Sequence, residues 1–333
     1  MSIIDLAGDA STMRYMKALT IEAFGGPDLM KLKERPAPEA GSGEIRIKIK
    51  AAGLNPVDWK IREGYLKDVF PHHFPIVLGW DCAGVIDQVG EGVSAYKEGD
   101  EVMAYCRKDF VRDGSFAEYI VVEARHVAPR PAALSFEKAA ALPLAGLTAW
   151  QALFDAGQLK SGETVMVHAA AGGVGHLAVQ LAKNAGATVI GTASPGKHAL
   201  LRDLGVDYPL DYAAPDMRGQ VLEITGGRGA DIVFDCIGGE ALEKTPELLS
   251  ERGRSITIAG FDQVEPLRER GVPLESIFVA PDPEELKALG DQVDAGTLRV
   301  EVEAVYPLDA FADAFAKLED GHVTGKLVFL MDS

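Results

Sequence analysis

The segment Val165-Met-Val-His-Ala-Ala-Ala-Gly-Gly-Val-Gly-His-Leu-Ala-Val-Gln-Leu-Ala182 restricts the fold of this chain more than any other. Apolar residues that suit a buried strand run into a glycine-rich turn, and a helical pattern begins at once. This order opens a βαβ unit, and the turn has the form A-x-G-x-x-G, from Ala170 through Gly172 to Gly175. Gly172 and Gly173 let backbone amides approach a pyrophosphate at a helix N-terminus, while Gly175 allows close helix-to-strand packing. Ala171 and Val174, in the same turn, count with them as cofactor contacts, and Ala170 replaces the usual first glycine.

Around this segment, residues 163–259 alternate short apolar strands with amphipathic helices, predicting βαβ repetition and a parallel sheet. Strands are expected at 164–169, 188–192, near Tyr208, at 231–235 and at 255–259. Parallel sheets of this kind bind ligands at their strand C-termini. Residues 16–134 read instead as strands and turns: Ile45, Ile47 and Ile49 alternate in 44–50, and further strands are expected at 83–89 and 117–122. An all-β barrel-like unit is their natural assembly. Residues 137–154 read as helical. Beyond Pro281 come a helix, the alternation Leu298, Val300, Val302, a helix over 309–320 stopped by Gly321, and a last strand over 325–330. These late elements can return to complete the first unit. The expected class is therefore α/β, a Rossmann doubly wound parallel sheet plus a barrel unit, divided as 14–140 with 280–333 and 141–279.

A chain of 333 residues suits two cores. Its 47% hydrophobic and 25% charged composition is that of an ordinary globular protein. With 50 acidic against 33 basic residues the formal charge is -17, which argues against nucleic acid and anionic membranes as partners. Cys82, Cys106 and Cys236 are odd in number and widely spaced, as expected of free thiols in a reducing, cytoplasmic setting. Residues 1–14 read as a short extension without a secretory or membrane-spanning pattern. No spacing of the seven histidines suggests metal ligands.

An NAD site usually carries an acid about 20 residues beyond the glycines, where it binds the ribose hydroxyls. Here that place reads Gly191-Thr-Ala-Ser194, followed by Lys197. A hydroxyl and an ammonium suit a 2′-phosphate, so the expected cofactor is NADP(H).

Five motifs in order, 52–58, 114–119, 141–150, 168–175 and 321–326, resemble the zinc-free quinone oxidoreductase branch of the medium-chain dehydrogenase/reductase superfamily. The resemblance covers nearly the whole chain from Met16. It implies a GroES-like β-barrel catalytic domain built from both chain ends, a Rossmann domain between them, and often a homodimer. Ser194, Lys197 and Tyr212 look like the 2′-phosphate group of the family. By the same resemblance, Asn55 and Thr148 sit near the nicotinamide, Gly238 and Ala259 border the cofactor, Phe278 and Val279 meet the carboxamide, and Lys326 is a late cofactor contact. Zinc relatives carry a cysteine where Asn55 stands and a His-Glu pair where Trp80-Asp81 stands; neither is present here.

Without zinc to polarise a carbonyl, the substrate must itself be electrophilic. Quinones and α,β-unsaturated carbonyls accept hydride into a conjugated system and leave charge on oxygen, which a donor can stabilise. Asn55, Lys60 and Tyr65 are the candidates for this catalytic role, with Tyr65 or water as proton donor. Trp59, Trp80 and Phe278 are candidates for an apolar substrate wall or for core. Quinone and enal or enone reduction stay open, as does an NADPH-binding sensor without turnover.

Overall fold

The computed structural model describes residues 13–331, so most of the N-terminal extension read from the sequence lies outside the described residues. Eight strands come first: β1 (Tyr15–Ile21), β2 (Lys31–Pro36), β3 (Glu44–Leu54), β4 (Ile76–Val77), β5 (Asp81–Val89), β6 (Glu101–Tyr105), β7 (Tyr119–Glu123) and β8 (Val127–Pro129). Strand β3 organises them, pairing antiparallel with both β5 and β7. Ile45, Ile47 and Ile49 are buried as their alternation requires. Beyond Lys50 the alternation stops and Ala51 to Leu54 are all buried. The reason is close packing: a Cβ on Gly53 would lie 2.4 Å from the carbonyl of Ala140.

Six further strands form a parallel sheet in the order β11-β10-β9-β12-β13-β14. They are β9 (Thr164–Val167), β10 (Thr188–Ala193), β11 (Tyr208–Asp211), β12 (Ala230–Asp235), β13 (Leu249–Thr257) and β14 (Leu274–Ser276). The order reverses direction at β9, the topological switch point where such sheets bind ligands. All four residues of β9 are buried, as expected of a central strand covered on both faces. The last two strands, β15 (Val302–Pro307) and β16 (Lys326–Leu330), leave the parallel sheet behind. Strand β16 pairs with β3, Leu327 opposite Leu54, so the C-terminus completes the N-terminal sheet.

Several boundaries differ from the sequence reading. The helix expected over 137–154 divides into α2 (Phe136–Ala140) and α3 (Pro143–Trp150), followed by a wider turn at Gln151–Ala156. Pro143 has no N–H with which to continue the ladder. The first Rossmann strand stops at Val167, because Ala169 takes a φ of 51°, which ends extended pairing. Leu298 and Val300 are buried outside any strand; regular pairing starts only at Val302.

Candidate active site and cofactor cleft

The glycine turn lies between β9 and α4 (Gly175–Asn184). A Cβ on Gly175 would fall 2.2 Å from the Ala169 carbonyl, so only glycine lets the helix start this close to the strand. Ala171 and Gly172 face a cavity of about 740 Å³ at the C-terminal ends of the parallel strands. Ser194, Lys197 and Tyr212 line it, as the sequence reading grouped them. Arg218, which that reading missed, also lines the cavity, from the first turn of the helix Met217–Ile224. Its signal was only a basic residue just after an Asp N-cap. Lys197 also donates to the carbonyls of His322 (3.0 Å) and Val323 (3.4 Å), tying the late chain to the cavity rim.

Gly238 borders this region with a φ of 75°, and a Cβ there would lie 2.8 Å from the Gly260 nitrogen. Asp235 holds this end, accepting from Gly238 N at 2.9 Å and from Thr257 Oγ1 at 2.7 Å. Thr257 in turn accepts from Ala259 N. His168, also missed, lines the cavity. Its Nδ1 is 3.3 Å from Thr192 Oγ1, and its buried Nε2 has no hydrogen-bond partner. Burial pushes its pKa down, which keeps the ring neutral. A cradle that a side chain would fill, a helix N-terminus and an unmatched ring nitrogen together fit a dinucleotide.

The second cluster is buried where β3 meets β16. Asn55 caps α1 (Pro56–Glu63) in a reciprocal capping box with Asp58, whose Oδ2 accepts from Asn55 N at 2.7 Å. Asn55 Nδ2 donates to Asp81 Oδ2 at 2.8 Å, and Leu144 N donates to Asp81 Oδ1 at 2.8 Å. The Lys326 ammonium donates to Asn55 Oδ1 and to the Leu54 carbonyl (2.8 Å), and lies 3.8 Å from Asp81 Oδ2. Lys326 is 3% exposed and Asp81 0%. Burial pushes Asp58 up to about 8 and Asp81 up to about 6, while the nearby ammonium pulls both carboxyls the other way. Burial also lowers Lys326, against the attraction of the two carboxylates. The lysine stem joins this cluster to the cofactor turn: a Cβ on Gly173 would sit 3.0 Å from Lys326 Cδ, and Gly325 N donates to the Ala171 carbonyl at 2.8 Å.

The other sequence candidates are more dispersed. Lys60 is half-buried, with its Nζ 5.8 Å from the Trp59 ring centroid and its pKa lowered by desolvation. Tyr65 is 66% exposed and stands edge-on to Trp59 at 5.8 Å. The hydrogen bonds of the Asn55 cluster reach neither of them. Thr148 is buried, its hydroxyl donating to the Leu144 carbonyl at 2.6 Å, and Val174 caps α4. Val279 is buried, whereas Phe278 is 40% exposed. Phe278 meets Trp80 at 6.3 Å and Phe70 at 5.4 Å, so one of the suggested wall tryptophans does stand with it. Among the described residues, no three or more His, Cys, Asp and Glu side chains are grouped to hold a metal ion.

The comparisons with known proteins agree with this architecture. Residues 41–132 match the alcohol dehydrogenase GroES-like domain, and residues 204–329 match the family described as zinc-binding dehydrogenase. The chloroplast envelope quinone oxidoreductase homolog of Arabidopsis thaliana is 35% identical over 330 residues, covering 95% of this chain and 98% of that protein. The chloroplastic NADPH-dependent alkenal/one oxidoreductase of the same plant is 36% identical over 334 residues, covering 98% and 82%. The structure of the quinone oxidoreductase from Coxiella burnetii superposes with a TM-score of 0.86 at 35% identity, covering 96% of this chain and all of that one. With the barrel strands, the switch-point cavity and the returning C-terminal strand in place, this chain belongs to the quinone oxidoreductase branch of the medium-chain dehydrogenase/reductase superfamily, a family of oxidoreductases.

Proposed function

We propose that this protein uses NADPH to reduce a small quinone or α,β-unsaturated carbonyl, without zinc. The observation that carries the reading is the position of Lys326. Its stem borders the glycine turn, and its ammonium takes the Asn55 oxygen beside Asp81. Two carboxyls, Asp58 and Asp81, one amide and an ammonium are a poor donor set for zinc, which favours thiolate, imidazole and carboxylate without a competing cation. That disagreement with the zinc in the family description supports a metal-independent reaction. Bound NADPH supplies a hydride. For the 2′-phosphate, support comes from Ser194, Lys197, Tyr212 and Arg218 among the residues lining the cavity, with no carboxylate at the end of β10. The glycine turn and α4 hold the pyrophosphate, while Asn55 and Thr148 border the nicotinamide. Proton delivery falls to Tyr65 or to water reaching the same exposed place.

The division into 14–140 with 280–333 and 141–279 belongs to this reading, since the cleft then lies between the units. A homodimer joined through β14, the edge of the parallel sheet, also belongs to it, and sedimentation velocity tests it. No described helix is long and apolar enough to cross a membrane. The deciding assay offers NADPH and NADH separately with benzoquinone and with a short-chain enone. Faster NADPH oxidation with either acceptor supports the proposal and names the substrate class. Tight NADPH binding without any oxidation leaves a sensor as the better reading.

A further inference from the structure

Arg107 stands out among the half-buried cations. It follows β6, whose last residue Tyr105 pairs with Asp81 of the buried cluster. The guanidinium carbon lies 5.6 Å from the Phe70 ring centroid and 5.4 Å from that of Phe278. Its Nε is buried without a hydrogen-bond partner, and among the described residues it makes no ion pair. Arg35 also has a buried Nη1 without a partner, but Asp113 lies 3.8 Å from its guanidinium, and the other arginines whose side chains make no hydrogen bond, Arg112, Arg202, Arg218 and Arg252, are exposed to water. Ring faces stabilise a cation and fix its plane, but they do not satisfy its N–H groups.

These rings come from three separate parts of the chain. Phe70 precedes β4, Trp80 precedes Asp81, and Phe278 follows β14 at the edge of the parallel sheet. Phe70, Trp80 and Phe278 stand 5.4–6.3 Å from one another. The ring cluster thus joins the two sheets and is one residue removed from Asp81, to which Asn55 is bonded. The rings pack against one another at interplanar angles of 45–80°, Phe278 keeps 40% of its surface exposed, and the Arg107 Nε beside them has no partner. A neutral enone would leave that cation without a counter-charge; a carboxylate would meet its donor fork in bidentate geometry.

Resting on the function proposed above, we propose that Arg107 is a specificity-determining residue and that the preferred acceptor is an unsaturated ketone carrying a carboxylate, its planar conjugated part packed on the exposed side of Phe278. The carboxylate pairs with Arg107 and leaves the conjugated double bond facing the cleft. Preference for an anion is a discriminating expectation in a chain of net charge -17.

The test compares 3-benzoylacrylate with its methyl ester, in the wild-type protein and in Arg107→Met and Arg107→Lys, with NADPH. A charge-assisted pair predicts that the wild type favours the acid by about ten-fold or more in kcat/KM, mainly through KM. Arg107→Met loses that preference while reducing the ester within about three-fold of wild type, and Arg107→Lys keeps part of it. Calorimetry of the NADPH complex with the saturated 3-benzoylpropionate and its methyl ester gives the same comparison without turnover. A wild type with no preference for the acid overturns the proposal, as does Arg107→Met lowering both acceptors equally. If neither acceptor is reduced, the function proposed above fails, and the calorimetric preference for the acid, present or absent, still decides the role of Arg107.

Discussion

Replacing Lys326 by methionine keeps most of the stem's volume and removes the charge, so it isolates what the ammonium does. In the folded chain that ammonium holds Asn55 Oδ1 and the Leu54 carbonyl, and sits 3.8 Å from an Asp81 carboxylate with no exposure to water. Asp81 keeps Asn55 Nδ2 and Leu144 N in the variant, yet its charge loses its counter-ion. Removing one partner of a buried pair typically costs about 3–5 kcal/mol, which sets the expected loss at pH 8. Asp81→Asn in the same background removes the stranded charge, so the double variant should fall short of the summed single losses by about 1–3 kcal/mol. The pH dependence follows from the sign of the shift. Asp81 titrates in the folded chain at about 6, above the ordinary 3.8 of the unfolded one, and losing the ammonium raises it further. A raised folded pKa favours folding at low pH and loses that contribution as pH rises through it. The deficit of Lys326→Met therefore shrinks from pH 8 towards pH 5. Urea denaturation at several pH values, with the double-mutant cycle, measures all three quantities. A loss below about 1 kcal/mol at pH 8, or strictly additive variants, would refute the account of a buried ammonium neutralising Asp81.

Other outcomes follow from the same geometry. Lys197→Ala and Arg218→Ala should each weaken NADPH by about ten-fold and leave NADH almost unchanged, as read by fluorescence titration; equal losses for both cofactors would remove these residues from the 2′-phosphate site. Tyr65→Phe should lower turnover by less than about ten-fold because water reaches that exposed position, whereas a loss of about a hundred-fold or more would make the phenol an obligatory acid. Gly175→Ala drives a Cβ against the Ala169 carbonyl and should abolish NADPH binding or folding; a soluble variant with wild-type affinity would show that the turn can yield. Asp58, raised from 3.8 to about 8, favours the folded state below pH 4 and loses that contribution as pH climbs towards 8. Asp58→Asn should then gain stability relative to wild type over that interval in urea titrations, and a flat difference would contradict the raised carboxyl.

The parallel sheet and its phosphate turn were legible because their signals are local. A buried parallel strand is a short apolar run, and the turn needs glycine where backbone must approach backbone, as at Gly175. The absent acid after β10 and the nearby Ser194 and Lys197 were equally visible in order along the chain. Element ends were less so: the break before Pro143 could be suspected, but the stop at Val167 depends on the φ of Ala169. Only the tertiary structure joined Asn55 to Asp81 and Lys326, residues separated by 26 and 271 positions. Only it gathered Arg107 with Phe70 and Phe278, and turned Arg218 towards the same cavity as Lys197. A lone lysine at the start of the last strand carries no periodicity that marks it as buried, and an arginine after β6 none that marks its neighbours. The surroundings of Lys326 come from pairing across the sheet and from the exclusion of water there, and those are fixed when β16 returns to β3.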